Sequence, residues 1–354
     1  MTFDLNQLAR EKALPRIFRR IRPVAPGTRP TLVLLGGQPG AGKSKAQDAI
    51  AARYQHMAAI TGDDFRQHHP DFATLAKADP LSMANVTSKV AGPLVRRCLD
   101  HALGIRFDVD GQPEQSRTEQ YSVLLEGVFS DPDMVLSTVE EFAGAGFDVH
   151  VYAMAVPEHL SRLSAESRYL AAAGPYAARW TPPTAHDRSY SSLPDTLGAL
   201  ERSEHVSHIE VWSRTGPTYA GDRLSDGTWP ESAVDHVATG RRSPLDVEAW
   251  TESYSALRRI AEQRVVPQLR GLTPVPYLAD ARVQAAWTQL DGHAVRLGEP
   301  PRPLPAVIVN PRDLARTGFP DPNPVPRLGG VPNSGRRKPQ PLQAEYTSGQ
   351  EMGS

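Results

Sequence analysis

The chain has 354 residues, 40% of them hydrophobic and 22% charged, with a formal net charge of -1. This is globular composition, and it excludes a wholly disordered, collagenous or disulfide-scaffold protein. The near-neutral charge withholds the broad attraction that a nucleic-acid or anionic-membrane binder presents, so neither is an expected partner, and Cys98 as the only cysteine excludes an intramolecular disulfide and a thiolate metal cluster and fits a cytoplasmic location.

In chain order, the first stretch, MTFDLNQLAREKALPRIFRRIRP, has no apolar core of the kind a secretion signal needs. No window approaches the run of about 18 apolar residues that a membrane-spanning helix requires. Residues 1–29 read as an N-terminal helical segment. Leu5, Leu8, Leu14, Ile17 and Ile21 lie along one side, with a break or kink at Pro15. Arg16, Arg19, Arg20 and Arg22 form a basic side that suits either a solvated face or an acidic partner.

The run Pro30-Thr-Leu-Val-Leu-Leu35 has the pattern of a fully buried parallel strand, and a helical stretch follows from Lys45 to Tyr54. Further apolar runs stand at Ala58–Thr61, Tyr121–Leu125, Phe147–Val156 and His208–Trp212. Helical spacing fills Leu75–Gly104, Pro132–Gly144 and Pro157–Ala173. This alternation predicts an α/β fold over 30–240, a central parallel sheet flanked by helices. A helical extension is expected over 241–299: Ser243-Pro244 opens a helix reaching Val265, and a second runs from about Tyr277 to Leu297. Twelve of the 33 prolines fall from Pro300 onward, so 300–354 reads as an extended or disordered tail, with a short strand at 306–309.

Gly37-Gln38-Pro39-Gly40-Ala41-Gly42-Lys43-Ser44 satisfies the P-loop pattern Gly-x4-Gly-Lys-Ser/Thr, after a strand and before a helix. Its glycines allow backbone N–H groups to surround a phosphate, the helix N-terminus adds positive charge, and Lys43 can reach the β- and γ-phosphates of ATP. Ser44 is the expected Mg²⁺ ligand. The second strand ends at Gly62-Asp63-Asp64-Phe65-Arg66, where Asp63 suits a general base and either aspartate suits a helix N-cap. His68 and His69 read as structural, since adjacent histidines rarely face one ion. The third strand delivers Glu126, fit to organise Mg²⁺ or to bind substrate hydroxyls. Arg162, Arg168 and Arg179 suit either a phosphate clamp or a solvated helix face.

Together these pieces resemble the zeta toxin family of P-loop kinases over roughly 30–220. The resemblance rests on Leu-Leu-Gly-Gly-Gln-Pro-Gly-Ala-Gly-Lys-Ser, Gly62-Asp63-Asp64-Phe65-Arg66 with His69-Pro70, Leu125-Glu126-Gly127, Ser167-Arg168-Tyr169, and Ala178-Arg179-Trp180-Thr181-Pro182. It implies a P-loop NTPase fold of kinase type and ATP-dependent phosphorylation of the 3′-hydroxyl of UDP-N-acetylglucosamine by the toxin of a toxin–antitoxin pair. A small antitoxin would then cover the ATP site. It also implies Lys43 as the phosphate-binding lysine, Asp63 as the base, Glu126 as a substrate-binding carboxylate, and Arg168 and Arg179 as phosphate clamps. After Glu-Gly the family pattern has a threonine and, two residues on, an arginine, where this chain has Val128-Phe129-Ser130. Another acceptor, such as a nicotinamide dinucleotide or an antibiotic, stays open, as does a nucleotide-binding interaction module without transfer activity.

Overall fold

The computed structural model describes residues 4–54, 56–78, 83–108, 119–170 and 181–242. The expected C-terminal helices, the strand at 306–309, the proline-rich tail and Arg179 lie outside the described residues. The order begins with α1 (Leu5–Leu8), a π-helical turn at Ala9–Ala13 and α2 (Leu14–Phe18). Pro15 follows directly on the π-helical turn, and this local change of winding accommodates the missing N–H, so the segment does not break.

Next come β1 (Thr31–Gly36), α3 (Lys43–Ala51), β2 (Ala58–Thr61), a 3₁₀ helix at Gly62–His68, α4 (Phe72–Ala78), α5 (Met83–Ala102) and β3 (Val123–Glu126). They are followed by α6 (Pro132–Gly144), β4 (Asp148–Met154), α7 (Glu158–Leu170), α8 (Pro183–Arg202), β5 (Val206–Ser213), β6 (Gly216–Asp222) and α9 (Ala233–Arg241). The strands form one sheet in the order β2-β3-β1-β4-β5-β6. The first five are parallel, while β6 runs antiparallel to β5 at the edge. The sheet is therefore mostly parallel, with an antiparallel edge strand that the apolar runs do not announce.

Alternation along the central strand divides the core. Leu32 and Leu34 join a cluster with Leu94 of α5, Phe142 of α6, Leu193 and Leu197 of α8 and Val237 of α9. Val33 and Leu35 point to the other face, against Ala46 and Ile50 of α3, with Leu160 of α7 packed on that cluster. Period 2 thus gives β1 two buried faces, as a strand enclosed by helices requires. Cys98 is fully buried in the first cluster, and burial, with Asp100 nearby, pushes its thiol up to about 12, so it packs as a small apolar group.

Register brings the strand ends together. Leu35 pairs with Glu126 and Thr61 also pairs with Glu126, so the segments that leave β1, β2 and β3 emerge side by side at the C-terminal edge of the sheet, where open α/β folds bind ligands. Chain β1–β2 and chain β3–β4 connections depart to opposite sides of β1, which makes this edge a topological switch point.

Phe129 fixes the segment after β3. It is a non-glycine residue at φ +50, its ring is buried, and its carbonyl accepts a hydrogen bond from Thr196 Oγ1 at 3.0 Å. The ring lies against Gly36, where an added Cβ would stand 2.2 Å from Phe129 Cδ2. Gly36→Ala should therefore lower stability by about 1–3 kcal/mol through overpacking, read as a reduced urea midpoint with an unchanged m-value. Among the described residues no helix is long and apolar enough to cross a membrane.

Candidate functional site

The P-loop leaves β1 and closes around its own backbone. Gly42 is the N-cap of α3 at φ +98, which sets the first-turn N–H groups of α3 toward the space enclosed by the loop. Gly40 permits a close approach to α7, since a Cβ there would stand 2.0 Å from the Ser161 carbonyl oxygen. Lys43 is buried and donates from Nζ to the carbonyls of Gly37 at 2.7 Å and Gln38 at 3.3 Å. Its Nζ also lies 3.9 Å from Glu126 Oε1. Ser44 follows at the exposed start of α3.

A buried polar chain holds the loop to the helices. Gln38 is fully buried and donates from Nε2 to Val156 O at 2.9 Å and Ser161 Oγ at 3.2 Å. Ser161 Oγ in turn lies 2.8 Å from His186 Nε2 on α8. Arg214, in the turn between β5 and β6, donates to Gly40 O at 2.6 Å, Leu160 O at 3.3 Å and Ser164 Oγ at 2.5 Å. One guanidinium thus ties the P-loop to α7, a contact between residues far apart in sequence that no local pattern marks.

Asp63 lies in the 3₁₀ helix directly after β2. Its side chain is 41% exposed, and its Oδ1 accepts from Arg66 Nε at 2.9 Å. Arg66 is fixed from the other side, donating to the carbonyl of Ala84 and to Thr87 Oγ1 of α5; burial lowers its pKa from the ordinary guanidinium value. Arg66 thereby sets the direction of the Asp63 carboxylate. The N-cap of the 3₁₀ helix is Thr61, so capping that turn does not explain the aspartates. Asp64 accepts from Arg16 at 2.7 Å, joining the N-terminal segment to the same motif. His68 stacks on Phe65 and His69 Nδ1 accepts from the Asp71 amide at 3.1 Å, both structural arrangements.

The arginines separate by environment. Arg162 is fully buried and donates to Glu158 Oε1 at 2.8 Å and to Asp187. Glu158, His186 and Asp187 approach one another closely enough to hold a cation, and the Arg162 guanidinium already supplies their positive charge. Arg168, near the end of α7, is exposed and donates to Thr181 Oγ1 at 3.2 Å.

Beside Pro39 of the P-loop opens a cleft of about 390 Å³ lined by Arg66, residues of the first turns of α5 and α8, Val128, Ser130 and Arg188. The region brings together a phosphate-cradling loop, a cation beside a carboxylate, and an aspartate oriented by an arginine. That set can bind a triphosphate, hold a divalent cation through the Ser44 hydroxyl, and take a proton from a hydroxyl.

Comparison with known proteins adds the following. The family model described as Zeta toxin matches residues 15–110 and 113–223. Toxin zeta of Enterococcus hirae is 29% identical over 248 residues, covering 69% of this chain and 79% of that protein. Toxin PezT of Streptococcus pneumoniae serotype 4 is 26% identical over 228 residues, 60% of this chain and 85% of that protein. A solved structure from the PezAT chromosomal toxin–antitoxin system of Streptococcus pneumoniae superimposes with a TM-score of 0.58 at 22% identity, covering 74% of this chain and 97% of that one; the fold is shared.

Proposed function

We propose the following role for this chain, which belongs to the zeta toxin family: it is an ATP-dependent kinase that phosphorylates a hydroxyl of a nucleotide-sugar, the 3′-hydroxyl of UDP-N-acetylglucosamine, and acts as the toxin of a toxin–antitoxin pair. The observation that carries the reading is the convergence at one sheet edge of the P-loop, Glu126 at 3.9 Å from Lys43, and the turn bearing Asp63. The names of the relatives, Toxin zeta and Toxin PezT, support the toxin role and a small antitoxin as partner.

In this reading Lys43 leaves the carbonyls of Gly37 and Gln38 for the β- and γ-phosphates of ATP. Ser44 would hold Mg²⁺, with Glu126 nearby, and the ion when bound would supply charge neutralisation for the phosphates. Asp63 accepts the acceptor hydroxyl proton as the new O–P bond forms and ADP departs. Glu126 contacts the acceptor. Arg168, with Arg179, neutralises the charge spread over the transferring phosphoryl group. A second reading, transfer to another small hydroxyl compound such as a nicotinamide dinucleotide, draws support from Val128 and Ser130, which replace the family's threonine and arginine.

The test is incubation of the protein with Mg-ATP and separate UDP-sugars, nicotinamide dinucleotides and aminoglycosides, with products followed by mass. A gain of one phosphoryl group on UDP-N-acetylglucosamine is expected. Product on another acceptor alone moves the substrate, and ATP binding without any product favours an interaction module. Arg214→Ala tests the loop itself: losing its hydrogen bond to Gly40 O should raise the Kd for Mg-ATP about tenfold, measured by calorimetry, with KM for the acceptor nearly unchanged.

A further inference from the structure

We infer that Arg188 anchors the diphosphate of a nucleotide-linked acceptor and thereby determines which acceptor this chain uses; the inference rests on the kinase reading above. Among the described residues, the lining of the cleft beside the P-loop carries two guanidinium groups, Arg66 and Arg188, and no carboxylate. Arg66 is committed to Asp63, Ala84 O and Thr87. Arg188 is exposed on α8, and among the described residues it makes no hydrogen bond or ion pair. Among the described residues nothing neutralises its charge, and at the cleft it can meet an incoming anion.

The chain after Glu126-Gly127 cannot supply that charge. Val128 is a 37% exposed apolar residue and Ser130 is neutral, and both line the same cleft. Arg188 faces this cleft from a different element, so α8 provides the cation that the segment after β3 lacks. Its fork of donors suits a diphosphate, which presents several oxygens at guanidinium spacing. The first turn of α8 borders the cleft and carries helix N-terminal charge of the same positive sign. A polycationic acceptor is disfavoured there.

The placement of Arg188 is also tied to the nucleotide site. Its neighbours His186 and Asp187 are held by Ser161 and Arg162 of α7, and Ser161 is held by Gln38 of the P-loop. Acceptor anchor and P-loop are thus joined through buried polar contacts, which keeps an anchored hydroxyl in constant register with the phosphate to be transferred.

The experiment titrates UDP, and separately uridine, into the full chain with its ATP site saturated by Mg-AMP-PNP, for wild type, Arg188→Ala and Arg188→Lys. Expected is a loss of UDP affinity of about 10- to 100-fold in Arg188→Ala, partial recovery in Arg188→Lys, equal uridine affinity throughout and an unchanged affinity for AMP-PNP. An Arg188→Ala protein that binds UDP within twofold of wild type, or a wild type that does not prefer UDP to uridine, overturns the role of Arg188. Failure of wild type to bind AMP-PNP takes down the kinase reading instead, and the comparison of UDP with uridine in the two variants still decides Arg188.

Discussion

Asp63→Asn should lower kcat by about 10²–10⁴-fold, the range for removal of a positioned general base, while the KM for ATP stays within about twofold of wild type. Asparagine keeps the shape of the side chain and an oxygen that can accept from Arg66 Nε, now 2.9 Å from Asp63 Oδ1. The 3₁₀ helix after β2 should therefore keep its form, and Arg66 its contacts with Ala84 and Thr87. What is lost is the capacity to hold the proton of the acceptor hydroxyl as it attacks phosphorus. Single-turnover measurement with the product followed by mass separates this step from binding. Activity within tenfold of wild type would remove Asp63 from the base role. A parallel loss of ATP affinity would show that the substitution had disturbed the P-loop edge and not the proton transfer.

How much of the fold is visible before the structure depends on whether the information is local. The sequence from Thr31 to Ala51 carries strand, turn and helix signals in consecutive residues, so β1, the P-loop and α3 follow from reading along the chain. The antiparallel strand β6 does not. Gly216-Pro217-Thr218-Tyr219-Ala220-Gly221 lacks β-branched alternation, and most of the strand is not buried; it is a strand because β5 offers it an edge, and Pro217 is tolerated near its start for the same reason. Helix α8 is a second case. Leu193, Leu197 and Leu200 have helical spacing and are fully buried, yet Pro194 lies inside the helix and argues against one. The structure resolves this at a distance: the Tyr190 carbonyl, which the residue at 194 would ordinarily serve, accepts from Arg241 Nη2 at 2.6 Å. No pattern near α8 encodes that arginine.

The candidate site divides in the same way. Glu126 ends one apolar run, while the P-loop with Lys43 and the turn with Asp63 follow two others, and parallel register brings the ends of those runs together. Arg66 lies inside a legible motif, but its work, pinning Asp63 to α5, depends on where α5 packs. Arg188 and Arg214 are the far case. Each is one of many arginines in a chain with only six lysines, and nothing within a few residues distinguishes them from solvated surface charge. Their meaning comes from the cleft and the loop that tertiary packing sets beside them.

Lys43→Ala should abolish measurable transfer, a fall of at least about 10²–10³-fold in kcat as for loss of one preorganised donor at a developing charge, and should weaken ATP binding as well. Two effects add. The ammonium that would move from the carbonyls of Gly37 and Gln38 to the phosphates is gone, and Glu126, 3.9 Å from Lys43 in this structure, faces the triphosphate without its neighbouring cation. The second effect is separable from the first. In the double variant Lys43→Ala/Glu126→Gln the repulsion is relieved, so Mg-ATP affinity should recover by about tenfold relative to Lys43→Ala, whereas turnover should not recover, because no donor has been restored. Calorimetry with Mg-AMP-PNP and the mass assay read the two quantities independently. Equal ATP affinity in the single and double variants would mean that Glu126 does not sense the triphosphate, and would leave it with the acceptor alone.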